Sequence, residues 1–194
     1  MSIVLRTIVA AIVLLLARPA DAGTCFETLD ELGVTYKRAT KRHIRKAVII
    51  RGELGGVTWQ NYQGSSLVVD CELAAALAKA GRFFVEHGIV LARYSSAYSR
   101  RRVRKSGRWS RHAFGKAIDV HSFKHRDGTE LVLKDHYEEG LGDDVDCVGR
   151  PLTREGATLR TLSCQLARSG FFDNVLDPDY DAHHYNHFHL DVRR

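Results

Sequence analysis

Apolar residues recur along this chain with two different periods. From Cys71 to about Glu86 the spacing is helical, with Leu73, Leu77, Ala80 and Phe84 on one face of an alanine-rich segment. Asp70 stands ready to cap its start and Gly88 lies just past its end. A second helix is predicted from Thr153, with Leu159, Leu162 and Leu166 as its buried stripe and Gly170 as its stop. A short helix around Phe26–Leu32 ends at Gly33, and an irregular basic stretch follows. Strand-like segments are Ala47–Arg51 and Val57–Tyr62, with Gly55-Gly56 as the turn between them, and Ile89–Tyr98. Ala117–Phe123 alternates, with Asp119 and His121 on the same side. At the C-terminus His187, His189 and Asp191 face one way, and Phe188, Leu190 and Val192 the other. Lys124 to Arg150 reads as polar loop with a little local structure. The pattern is α+β: a few helices flanking an antiparallel sheet that carries the chemistry.

The N-terminus departs from this pattern. Arg6 precedes an apolar run from Thr7 to Ala17, which Arg18-Pro19 closes, and Ala20-Asp21-Ala22 has the small-x-small form of a cleavage site. The run is too short to span a bilayer. Residues 1–22 are therefore expected to be a secretory signal peptide, with an uncleaved anchor as the alternative, and residues 23–194 to form one domain. No later run is long enough for a membrane span. Export to a secreted or periplasmic location changes the reading of Cys25, Cys71, Cys147 and Cys164. An even count in an oxidising compartment favours two disulfides, and three pairings are formally open. Sequential pairing is expected, because each bond would then tie a loop to the start or body of a predicted helix. No Cys-x-x-Cys supports a cysteine zinc site.

The formal net charge is +6, and its cationic part is concentrated. Arg100, Arg101, Arg102, Arg104, Lys105, Arg108 and Arg111 lie in a stretch without an acid. A nucleic-acid tract would look similar, but the export signal argues against nucleic acid as the partner. Cell-wall polymers and lipid headgroups are the polyanions an exported protein meets. The alternative is a solvated basic loop without a specific partner.

The chemistry-bearing residues fall in two segments about seventy residues apart. Ser110–Asp119 holds His112 and Asp119, and His184–Asp191 holds His187-x-His189. Four of the ten histidines lie between His183 and His189, which marks that segment out. Residues two apart on a strand share a face, so His187 and His189 point the same way. If the Ala117–Phe123 strand pairs with the C-terminal one, three imidazoles and a carboxylate meet there. Imidazole and carboxylate suit Zn²⁺, and three protein ligands with an open fourth position make a catalytic site.

Ser110-x-His112-x-x-Gly115-x-Ala117-x-Asp119 followed by His187-x-His189 resembles the zinc motif of the D-Ala-D-Ala carboxypeptidase and murein endopeptidase superfamily, with its hedgehog-like fold. Within it the chain is similar to the bacterial extensin-like C-terminal domain family. Cys71-Glu72-Leu73-Ala74 and Asn186-His187-Phe188-His189-Leu190-Asp191 carry that resemblance too. It runs from about Cys25 to Val192 and is strongest over Tyr98–Asp119 and from Cys164 onward. The resemblance implies that His112, Asp119 and His189 ligate Zn²⁺ and that His187 is a general base or oxyanion stabiliser. His184 matches a histidine of endopeptidase-like members and is a candidate proton carrier. Many carboxypeptidase members place a Glu three residues before the final ligand, and neither Tyr185 nor Asn186 supplies one. Tyr98-Ser99-Arg100-Arg101 looks like a Tyr-x-Cys-Arg segment with Arg100 in the cysteine's place, which implies that Arg101 binds a substrate carboxylate or carbonyl. Ser110 would support the His112 loop by hydrogen bonding. His121 departs from the family pattern.

The implied activity is metal-assisted hydrolysis of amide bonds in peptidoglycan stem peptides or cross-bridges. Two other readings stand beside it. One is a zinc-containing module that cleaves nothing. The other is a basic cell-wall-binding module that uses the Arg100–Arg111 tract, with the histidines incidental.

Overall fold

The computed structural model describes residues 24–103, 106–140, 147 and 149–193. The predicted signal peptide lies outside the described residues, as do Arg104 and Lys105 of the basic tract. Helix α1 (Cys25–Glu31) starts at a capping box, in which the Thr24 hydroxyl accepts from the Glu27 amide and the Glu27 carboxylate reaches back to the Thr24 amide. Helix α2 (Cys71–Glu86) begins where the Asp70 carboxylate accepts from the Glu72 amide, and buries Leu73, Leu77, Ala80 and Phe84. Helix α4 (Arg154–Arg168) is capped by Thr153 and buries Leu159, Leu162 and Leu166. Between them in sequence, α3 (Leu133–His136) is a single turn. Among the described residues no helix is long and apolar enough to cross a membrane.

Among the described residues there are two sheets. A small antiparallel one has the order β1 (Tyr36–Arg38), β2 (Ala47–Ile50), β4 (Val68–Asp70). The larger one is mixed and runs β3 (Thr58–Asn61), β5 (Ile89–Ser96), β6 (Ala117–His125), β9 (Phe188–Asp191), β8 (Asn174–Leu176), with β7 (Glu130–Val132) also paired to β6. Only β3–β5 is parallel in it.

Gly55-Gly56 forms the expected turn, closed by the Leu54–Val57 bridge, but β2 and β3 on its two sides enter different sheets. The turn is pressed onto α2, where a Cβ on Gly55 would meet the Ala78 carbonyl at 2.2 Å. The little local structure expected in Lys124–Arg150 is β7 and α3. Alternation along β6 breaks at His121: Tyr94 opposes Val120 while Arg93 opposes Ser122, so His121 is bulged out of the ladder. The bulge lets Phe123 turn into the core, against Phe84 and Phe188 at ring separations of 5.4 and 6.0 Å.

The core lies between the sheets and α2 and α4. An aromatic file from Trp59 through Phe84, Phe123 and Phe188 to Tyr137 runs beneath the larger sheet. Burying each such ring contributes about 1.5–3 kcal/mol. Disulfides join Cys25 to Cys71 and Cys147 to Cys164, the sequential pairing. By loop-closure entropy they stabilise the fold by about 4 and about 3 kcal/mol.

Candidate metal centre

Strands β6 and β9 pair antiparallel, with Asp119 opposite His189, so both side chains stand on one face. His112 comes from a 3-10 turn, Arg111–Phe114, capped by the Ser110 hydroxyl, which accepts from the His112 amide. Gly115 ends the turn at φ 63°, and a Cβ there would strike Ile44 and the Asp70 amide at 2.7 and 2.8 Å. This tight close against α2's N-terminus swings His112 back over β6. Its ring is fully buried.

The three residues converge on one point. Single ligand atoms from His112, Asp119 and His189 lie within 4.8 Å of one another. His112 Nε2 is 3.2 Å and His189 Nδ1 is 2.8 Å from Asp119 Oδ1. On its other side, His112 Nδ1 faces the Ala97 carbonyl and the Ser96 hydroxyl, each at 3.3 Å. A carbonyl only accepts, so Nδ1 carries a proton, and in the neutral ring Nε2 presents a lone pair. That buried Nε2 finds no hydrogen-bond partner, and a carboxylate oxygen faces it. In that form two acceptors meet in a buried site, which a cation between them would satisfy. The donor set therefore fits a metal ion that favours nitrogen and oxygen.

His189 has the same design with the nitrogens exchanged. Its Nε2 stands 3.4 Å from Asp191 Oδ2, and Asp191 is itself fixed by two Asn174 Nδ2 contacts and by Arg111. A carboxylate behind an imidazole fixes the tautomer and leaves the opposite nitrogen free for a metal. Burial alone would lower the His189 pKa, but its hydrogen bonds to Asp119 and Asp191 raise it to about 9. Burial would raise the Asp119 carboxyl; the His112 and His189 rings override this and hold it well below the usual carboxylate range. Without a metal, the cluster keeps a proton on His189 where a cation would sit.

His187 sits at the edge of the cluster, its Nε2 3.7 Å from Asp119 Oδ1. Its Nδ1 donates to Asn186 Oδ1 at 2.9 Å, so Nε2 faces the site as an acceptor. Burial pushes its pKa down to about 4; Asp119 opposes the shift, and His121, His184 and His189 add to it. The His184 ring is 5.0 Å from His187 and 5.9 Å from His189, and its Nδ1 donates to Asp181 at 2.6 Å. It therefore faces the cluster although it precedes the strand. Arg101 reaches the rim with its guanidinium 3.9 Å from Asp119 Oδ2 and its side chain half exposed.

His121 Nδ1 donates to the Asn186 carbonyl at 3.0 Å, and its Nε2 accepts from the Ser95 hydroxyl at 2.8 Å. The bulged histidine thus braces the residue that orients His187. Sequence reasoning missed the roles of Asp191 and Asn186. The alternation of β9 does place Asp191 beside His189, and that signal was available.

The molecule is thus an α+β domain with a His-Asp-His cluster on one face of a mixed sheet. It belongs to the family described as extensin-like protein C-terminus, whose model matches residues 23–194. No curated protein and no solved structure matches the chain.

Proposed function

We propose that this protein is an exported zinc-dependent peptidase acting on amide bonds of peptidoglycan stem peptides or cross-bridges, within the D-Ala-D-Ala carboxypeptidase and murein endopeptidase superfamily. The observation that carries the reading is the buried Nε2 of His112, which has no hydrogen-bond partner and faces Asp119. His112, Asp119 and His189 would hold the metal, and an imidazole-carboxylate set of three suits Zn²⁺ in a catalytic site. When bound, zinc supplies Lewis acidity that polarises a carbonyl and acidifies water.

The chain's own residues do the rest. His187, neutral and aimed inward by Asn186, accepts a proton at Nε2 during attack and returns it to the leaving amine. His184, tethered to Asp181, stands within ring contact of His187 as the next proton carrier. Arg101 offers a planar pair of donors to a substrate carboxylate or carbonyl at the open rim. The two disulfides agree with an oxidising compartment and therefore with export.

One observation favours a second reading, a wall-binding module. Arg102 bridges to Trp109, and the exposed cations Arg101, Arg102 and Arg108 adjoin the Ser110–His112 turn in sequence. The test is digestion of purified peptidoglycan by zinc-loaded protein lacking residues 1–22, followed by mass spectrometry of the fragments. The peptidase reading expects new peptide termini that vanish with a chelator and in His187→Ala while zinc is retained. An unchanged fragment profile with zinc bound contradicts it and leaves the binding module.

A further inference from the structure

Beside the metal centre, at the β3–β5 edge of the larger sheet, a groove of about 550 Å³ opens between the end of β5 and the loop after β3. That volume is in the range of small-ligand sites. Its wall differs from the rest of this basic protein. Asn61, Gln63, Ser65, Ser66, Ser95 and Ser99 line it, and no lining residue carries a formal charge. The groove shares residues with the surroundings of the cluster: Ser96 Oγ is 3.3 Å from His112 Nδ1, and Ser95 Oγ is 2.8 Å from His121 Nε2.

The hydrogen-bonding capacity left over there is carried by side chains. The Tyr94 carbonyl is taken by the Tyr62 amide at 3.1 Å and the Asn61 amide group at 3.3 Å. The same Asn61 group donates to the Ser95 carbonyl at 3.2 Å, and the Ser99 amide donates to the His112 carbonyl at 3.1 Å. An extended peptide recognises a sheet edge through free backbone groups, which these atoms do not offer. Hydroxyls remain, and their roles are divided. Ser95 must donate to His121, because the other nitrogen of that ring donates to the Asn186 carbonyl, so the hydroxyl of this groove-lining residue is left to serve as an acceptor. Ser65, Ser66 and the Gln63 amide are exposed and both donate and accept. A sugar ring with hydroxyl or acetamido groups needs such a mixture of donors and acceptors without charge.

We propose that this groove binds an uncharged glycan chain, so that the protein engages the sugar strand of its substrate next to the peptide held at the metal centre. The proposal extends the peptidase reading, but glycan binding itself requires no turnover.

The experiment uses ¹⁵N-labelled, zinc-loaded protein lacking residues 1–22, titrated with a tetramer of N-acetylglucosamine and, separately, with a glycan-free stem peptide. Saturable amide shifts at Gln63, Ser65, Ser66, Ser95 and Ser99 with the saccharide are expected. Ser66→Arg and Gln63→Ala, whose spectra report folding directly, weaken that binding by about tenfold or more, or 1.4 kcal/mol. No saturable shift, shifts located elsewhere, or groove shifts caused by the peptide alone would overturn the proposal. The two readings also separate. Saccharide binding without turnover of any wall fragment removes the peptidase and keeps the groove. Equal turnover of glycan-free and glycan-bearing peptides, with no saccharide shift, removes the groove and keeps the peptidase.

Discussion

Two buried carboxylates in this domain are treated in opposite ways. Asp177 is fully buried and receives donors only: the Tyr137 hydroxyl, the Ser163 hydroxyl at 2.8 Å, and the Asp179 amide at 3.1 Å on its other oxygen. Arg160 completes that network, donating to the Tyr137 hydroxyl at 3.2 Å and to Asp179 at 2.9 Å. Asp119 is almost as buried, yet the buried His112 Nε2 faces it with no hydrogen bond between them. A satisfied carboxylate cements a fold. Asp119 is instead met by three imidazoles and the rim guanidinium of Arg101, a donor set that could hold a cation, and that contrast separates the two regions. The two regions are also linked, since the Asp177 network anchors the loop that delivers His184 and His187 to the cluster.

The contrast can be broken at either end. The largest effect is expected from Asp119→Ala, which abolishes stoichiometric zinc binding in equilibrium dialysis while thermal unfolding of the metal-free protein stays cooperative. Asp177→Ala should do the reverse. It strands the Tyr137 and Ser163 hydroxyls in the interior, costs about 3–5 kcal/mol in urea unfolding, and leaves the zinc stoichiometry of the folded fraction intact. Replacing His187 by Ala should lower turnover by about 10²–10⁴-fold with little change in zinc content, as for loss of a general base. Asp191→Ala keeps all three ligands but frees the His189 ring, and zinc affinity measured against a competing chelator should fall by about 10–100-fold.

The smallest effect is a pH dependence. The raised His189 pKa stabilises the metal-free protein fully below about 6.5, and this contribution is lost as pH climbs through about 9. Asp119, held low, contributes above the ordinary carboxylate range near 4, and its share fades only as pH falls below it. The pair is therefore most stabilising between about pH 4 and 6.5. Zinc bound at the cluster would displace the His189 proton, so its affinity should rise from about pH 6.5 towards 9. Calorimetry at pH 7 in two buffers of different ionisation enthalpy should show proton release on binding.

Much of this site was legible in the chain, because its parts sit on periodic elements. The alternation of His187 to Val192 put the histidines on one face, and the Ser110–Asp119 spacing supplied the partner. The capped helices at Asp70 and Thr153 were readable for the same reason: their signals are local. The three-residue strands β1, β4, β7 and β8 were not, since so short a segment has no period and owes its conformation to its neighbours. Assigning β2 and β3 to different sheets depended on the contact between Gly55 and α2, which no local pattern encodes. The His121 bulge was hidden by a sequence that alternates through it. Asp177 was illegible as a network centre because Tyr137, Ser163 and Arg160 come from two other elements.

The central claim is that the Asp119 cluster is a metal site. Metal content by inductively coupled plasma mass spectrometry tests it directly, on protein lacking residues 1–22, for the unaltered chain and for His189→Ala. One zinc per chain that is lost in the variant is the predicted result. No bound metal in the unaltered chain after reconstitution with zinc, while its unfolding remains cooperative, would contradict it.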